Sequence, residues 1–250
     1  LRYVVARLAS YRNVWWSISN EFDFNPHKTM KDWDRLFQAL LRYDPYGHLR
    51  SIHNGTKMYD LERTAMYDYT KPWVTHQSIQ HWEPAYTTDW LERCPKPVVL
   101  DEMCYEGNAP RRWGNISGEE LVRRFWECML RGGYAAHGEV FEQRSRWISR
   151  GGALVGESPA RIGFLRGLME ESQPDLWHGP DERRYIWHYF GVSRPSRWTV
   201  ELPPQNSYHV DLVDTWEMRI ERIAEQISGR QELRLPGKSY MALRVVRMDA

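Results

Sequence analysis

The sequence has 250 residues, enough for one large domain or two modest ones, and enough to bury a sizeable core. Hydrophobic residues make up 42% and charged residues 27%, the balance of a globular chain. The net charge of +1 offers no electrostatic handle for nucleic acid or an anionic membrane, and no apolar run approaches the roughly 20 residues of a membrane span.

The chain opens at Leu1 inside a helical pattern formed by Leu1, Val4, Val5, Leu8 and Ala9, which predicts a natural start upstream. Short apolar runs then alternate with amphipathic stretches. The runs are Asn13–Ser19, His48–His53, Trp73–Ile79, Pro97–Leu100 and Tyr134–Phe141. Between them, Trp33, Leu36, Phe37, Leu40 and Leu41 make a helical stripe, with Thr29 as its N-cap. Ser117 with Glu120 predicts a capping box ahead of Leu121, Val122, Phe125 and Trp126. Ser158-Pro159 starts a further helix bearing Ile162, Leu165 and Leu168. Strands alternating with helices imply parallel βαβ units, either an open doubly wound sheet or a closed barrel. No GxGxxG or Walker loop is present. The strands end instead in polar residues, as a barrel's active face requires.

From about Arg184 the pattern changes to short alternating runs separated by turn signals at Gly191, Pro203-Pro204, Ser228-Gly229 and Pro236-Gly237. The expected organisation is α/β: the last five or so strands of a (β/α)8 TIM barrel over residues 1–172, a linker over 173–183, and a small all-β sandwich over 184–250. A full barrel takes about 250 residues, so about three strands lack a counterpart here.

Cys94, Cys104 and Cys128 are odd in number and lack CxxC spacing. They predict neither a disulfide framework nor a zinc site, and free thiols lean toward a reducing, cytoplasmic setting. His53, His76, His81 and His137 show no HExxH spacing, so no metal is expected. The 13 Trp and 14 Tyr suit either sugar stacking or a heavily packed core.

Two of the carboxylate-bearing strand ends are spaced to act together. Glu21 follows Asn13–Asn20 and Glu102 follows Pro97–Asp101; they lie 81 residues apart. At roughly 27 residues per βα unit, that is three units, which lets two inward carboxylates meet across a barrel mouth. Glycoside cleavage needs such a pair, one carboxyl holding a proton for the leaving oxygen and one ionised. The apolar run before Glu21 suits the proton-holding member. Either Glu alone reads more readily as a structural strand-end residue; the pair together favours chemistry.

An Asn-Glu pair ending one strand and a second strand-end Glu three units later resemble clan A of the glycoside hydrolases. More closely, the chain resembles bacterial proteins with an apiosidase-like, cellulase-related barrel followed by a small β domain. Tyr11–Asp23, Val98–Asn108, Gly133–Phe141 and Trp147–Leu165 carry this likeness, with Asp214–Glu217 and Leu235–Arg244 in the β domain. The resemblance implies that Glu21 is the acid/base, Glu102 the nucleophile, and Asn20 the partner of the sugar 2-hydroxyl. It also implies retention of anomeric configuration, plant-type poly- or oligosaccharide substrates and no cofactor.

Further residues are candidates for substrate contact by position. His53 sits at a strand end. His81 and Trp82 follow another, and Tyr105 lies just past Glu102. Glu139 ends a later strand, and Trp147 follows the last. The competing reading is a non-catalytic carbohydrate-binding protein on a degenerate barrel, with Trp198, Tyr208 and Trp216 as the sugar platform of the β domain. Inter-sheet core is the plainer role for those three.

Overall fold

The computed structural model describes residues 1–55, 66–142, 153–172 and 183–248. In chain order the strands are β1 (Trp16–Ser17), β2 (Arg50–Ser51), β3 (Gln77–Gln80), β4 (Val98–Glu102), β5 (Glu106–Gly107), β6 (Tyr134–Ala135), β7 (Glu139–Val140), β8 (Tyr185–Tyr189), β9 (Arg197–Glu201), β10 (Ser207–Asp214), β11 (Arg219–Ile227), β12 (Arg230–Arg234) and β13 (Met241–Met248). The helices are α1 (Arg2–Leu8), α2 (Met30–Tyr43), α3 (Thr87–Arg93), α4 (Gly118–Leu130) and α5 (Ser158–Ser172). The architecture is mixed α/β with a C-terminal antiparallel sheet. The chain forms two compact units, one of Leu1–Cys104 with Arg131–Gly138 and one of Tyr105–Leu130 with Glu139–Ala250.

In the first unit the strands are parallel and follow one another in sequence. β1 pairs β2, a bridge from His53 to Ser78 links β2 to β3, and β4 lies between β3 and β6. α2 fills the connection from β1 to β2 and α3 that from β3 to β4, as parallel pairing demands. In α2, Thr29 donates its N–H and its hydroxyl to Asp32 at the predicted N-cap, and Trp33, Phe37 and Leu40 form the buried face. Leu40 joins Val5, Ala9 and Trp16 in one apolar cluster. Of the expected α1 stripe only Val5 and Ala9 are buried; Leu1, Val4 and Leu8 are more than 40% exposed. Trp15 and Trp16 point opposite ways, as alternation requires. Trp16 is buried and donates its indole N–H to Asp44 at 3.0 Å, while Trp15 is 57% exposed.

Side-chain amides and amines satisfy loop carbonyls that would otherwise be buried without partners. Lys96 Nζ donates to the carbonyls of Tyr69, Lys71 and Val74 at 2.7–2.8 Å. Gln77 Nε2 serves Trp90, Cys94 and Lys96 at the C-terminal end of α3. β3 is therefore anchored from both sides although only four residues long.

The second unit contains α4, α5, the short parallel pair β5–β7, and two antiparallel sheets ordered β11-β10-β13-β8 and β12-β9. Val200 and Leu202 with Leu233 and Leu235 from the smaller sheet share one apolar cluster with Tyr208, Val210, Leu212, Met241, Leu243 and Val245. The run Tyr134–Phe141 was expected as a single strand. It divides at Ala136–Gly138, because β6 hydrogen-bonds β4 and β7 hydrogen-bonds β5. The Ser117 cap forms, with Glu120 N–H donating to Ser117 Oγ at 3.2 Å. The carboxylate of Glu120 turns to Arg123 and Arg124 instead, so ion pairing takes the place of the expected reciprocal bond.

Candidate active site

Glu102 closes β4, where residues 98–100 are buried and the last two positions emerge half-exposed. Glu21 reaches the same place by a different route. Its backbone is left-handed, with φ 44° and ψ 53°. A non-glycine residue holds that conformation only where its surroundings impose it, at about 1–3 kcal/mol. Three contacts impose it here. Phe22 N–H donates to the His53 carbonyl at 2.9 Å, and the Phe22 ring, 1% exposed, meets Trp33 and Tyr67 edge-on. Asp23 accepts the Gly55 N–H at 2.6 Å. Gly55 also leaves the space that Glu21 occupies: a Cβ there would lie 2.4 Å from Glu21 Cβ and Cγ.

The two carboxylates are joined by one side chain. Gln80 Nε2 donates to Glu21 Oε1 at 3.1 Å and to Glu102 Oε2 at 2.8 Å. The two oxygens are thus no further apart than 3.1 and 2.8 Å laid end to end. The N–H bonds of a primary amide diverge by about 120°, which places their acceptors roughly 5 Å apart. Gln80 is 5% exposed and is itself held by Asn54, whose amide accepts the Gln80 N–H at 3.0 Å and donates to its carbonyl at 3.2 Å.

Behind the pair lies His53, 3% exposed. Its Nδ1 stands 3.2 Å from Asp101 Oδ2 and its Nε2 3.2 Å from Glu102 Oε1. The second contact is off line for a hydrogen bond and acts chiefly by charge. Burial alone favours the neutral ring. The Asp101 hydrogen bond and the close negative charges of Asp101 and Glu102 outweigh it and push the His53 pKa up to about 9. Ser78 donates its hydroxyl to the same oxygen of Asp101. At neutral pH an imidazolium therefore sits between two acidic side chains.

The other expected site residues are spread more widely. Asn20 is exposed beside Glu21. His53 is enclosed behind the carboxylates. His81 is 1% exposed; its ring meets Tyr86 and Trp90 edge-on, and its Nδ1 accepts the Glu83 N–H at 3.0 Å. Trp82 is half-buried just past β3. Tyr105 and Glu139 belong to the second unit. There Tyr105 packs edge-on against Trp113, and Glu139 accepts the N–H groups of Val155 and Gly156 at 2.7 and 2.9 Å. Trp147 lies outside the described residues. In the β region Tyr208 is wholly buried, Arg161 lies 3.6 Å over the Trp216 ring, and Trp198 packs against Phe190. Sequence reasoning passed over Gln80 as a bridge, along with Gly55 and Asp101. A glycine directly after a polar strand end was the available signal.

The family model for the apiosidase-like catalytic domain matches residues 1–148. The chain belongs to the apiosidase-like family. A domain of unknown function, DUF5605, matches residues 175–246 after the apiosidase-like part. A crystal structure of a candidate glycoside hydrolase from Bacteroides vulgatus ATCC 8482 is 32% identical, with TM-score 0.82. That match covers 99% of this apiosidase-like chain but only 54% of the relative, so the chain spans about half the relative's length. A glycoside hydrolase family 5 structure from the same organism shares the fold at 16% identity and TM-score 0.67, covering 98% and 65% of the two chains. A further glycoside hydrolase does so at 15% identity and TM-score 0.68, covering 98% and 67%. No curated protein matches this apiosidase-like chain. Among the described residues, no helix is long and apolar enough to cross a membrane.

Proposed function

We propose that this chain carries the catalytic pair of a retaining glycoside hydrolase acting on plant-type poly- or oligosaccharides, with Glu21 as acid/base and Glu102 as nucleophile. Residues 1–172 are read as the last strands of a (β/α)8 barrel and 184–250 as a small β-sandwich joined by a short linker. The sequential parallel order of β1, β2, β3, β4 and β6 supports the barrel. The observation that carries the mechanism is the Gln80 amide shared by both carboxylates. The resulting separation of these two oxygens is nearer the about 5–5.5 Å of retaining enzymes than the 6.5–9.5 Å of inverting ones, which supports the retaining reading.

In this reading Glu21 gives its proton to the glycosidic oxygen as Glu102 Oε attacks the anomeric carbon. The leaving group departs as an alcohol, and a glycosyl ester to Glu102 remains. Glu21, now a carboxylate, takes a proton from water; the water oxygen attacks the same carbon and Glu102 is released. The His53 imidazolium keeps Glu102 ionised for attack and receives its negative charge back as the ester breaks.

The test is covalent trapping. A panel of 2-deoxy-2-fluoroglycosyl fluorides incubated with the full-length protein is expected to label Glu102, read by mass spectrometry of its peptide. Labelling of a different carboxylate, or a first product of inverted configuration by proton NMR, overturns the assignment.

Gly55→Ala gives a second check. The added methyl would press on Glu21 Cβ and Cγ and on the edge of the Phe24 ring, so kcat is expected to fall about a hundredfold, the scale of an ångström's misplacement. The melting temperature should drop only a few degrees. An unchanged kcat removes Gly55 from the positioning of Glu21.

A further inference from the structure

We propose that the groove beside Glu21 is the leaving-group subsite, and that it takes a second sugar ring stacked on Phe24. The inference rests on the retaining-glycosidase reading above and adds the chemical class of what that reaction releases.

The groove has a volume of about 430 Å³ and is lined by Ser19, Asn20, Glu21, Phe24, Asn25 and Pro26, with His27 at its end. All of these lie on one segment of the first unit. The short turn after Glu21 sorts its two phenylalanines. Phe22 is buried to 1% and fastens the turn, whereas Phe24 is 56% exposed. The Phe24 ring is nonetheless held: a Cβ on Gly55 would come within 2.8 Å of its Cε2, so one ring edge is backed by the chain. A fixed aromatic face with polar neighbours suits a sugar, which presents apolar C–H groups on its faces and hydroxyls at its rim. The groove adjoins the acid rather than the nucleophile. The group that Glu21 protonates is the one that leaves, so a ring bound here is the departing one. Binding energy gathered on that ring is available to orient the glycosidic oxygen toward Glu21.

The experiment compares two substrates of the same glycone in the full-length protein: a disaccharide, and the glycosyl fluoride, whose leaving atom has no ring to stack. The glycone is the one turned over in a panel of pyranosyl and furanosyl fluorides. Phe24→Ala is expected to lower kcat/KM on the disaccharide about tenfold or more, the scale of one lost stacking contact, and to leave the fluoride within about threefold. Phe24→Trp should retain disaccharide activity, and both variants should melt close to the wild type. Equal losses on both substrates, or no loss on either, overturn the subsite while leaving the Glu21–Glu102 reading intact. A wild-type protein that turns over no fluoride in the panel overturns that reading and the subsite with it.

Discussion

Replacing Glu102 by Gln in the full-length protein is expected to remove turnover by at least about a thousandfold while leaving the fold in place. The amide keeps the size of the carboxyl and can still meet the Gln80 and His53 neighbours, but it has no oxygen anion to form the glycosyl ester. Glu21→Ala is expected to behave differently. The nucleophile remains, so substrates with acidic leaving groups still form the intermediate, which then waits for a base that is gone. Added azide needs no base. It fits the space Glu21 vacates and attacks from the face the leaving group left, giving a glycosyl azide of retained configuration. Restored turnover with that product identifies Glu21. A Glu102→Gln protein with normal kcat, or azide rescue of Glu102→Gln in place of Glu21→Ala, sinks the assignment.

The second large effect concerns His53. Its raised pKa, about 9 against an ordinary 6.5, means that the folded protein holds a proton the unfolded chain releases. The contribution, roughly 3 kcal/mol, is complete below pH 6.5, shrinks as pH rises from there, and is gone above about pH 9. Stability measured by denaturant titration should fall across that window. An imidazole NMR titration should place the ring near pH 9; a midpoint at or below 6.5 refutes the ion pair. His53→Phe leaves Asp101 and Glu102 without their buried partner and is expected to destabilise by about 3–5 kcal/mol. His53→Gln should be milder and should flatten the alkaline loss of stability.

Much of the helical framework is legible in the sequence. The α2 stripe, its Thr29 cap and the Ser158 start of α5 depend on local spacing alone, so residues a few positions apart suffice to specify them. The C-terminal strands are equally legible because alternation and turn residues mark each one. The site is legible only in part. Glu21 and Glu102 stand out as carboxylates ending apolar runs. The left-handed turn at Glu21 does not, since it is imposed by the His53 carbonyl and by Gly55, more than thirty residues on. His53 reads as a cleft residue because its strand ends there. What encloses it is a pair of acids 48 and 49 residues later, and no local pattern announces that. Tyr105 and Glu139 were placed by proximity in sequence to strand ends, whereas their bonds are to the second unit's own backbone and rings.

The Gln80 bridge separates two properties that many paired-acid sites combine. A carboxamide has no proton to gain or lose, so it behaves as a spacer whose length does not follow pH. The charge at Glu102 answers instead to His53, which does titrate. Spacing in this pair is thus set by a side chain that does not titrate, and the charge beside Glu102 by one that does.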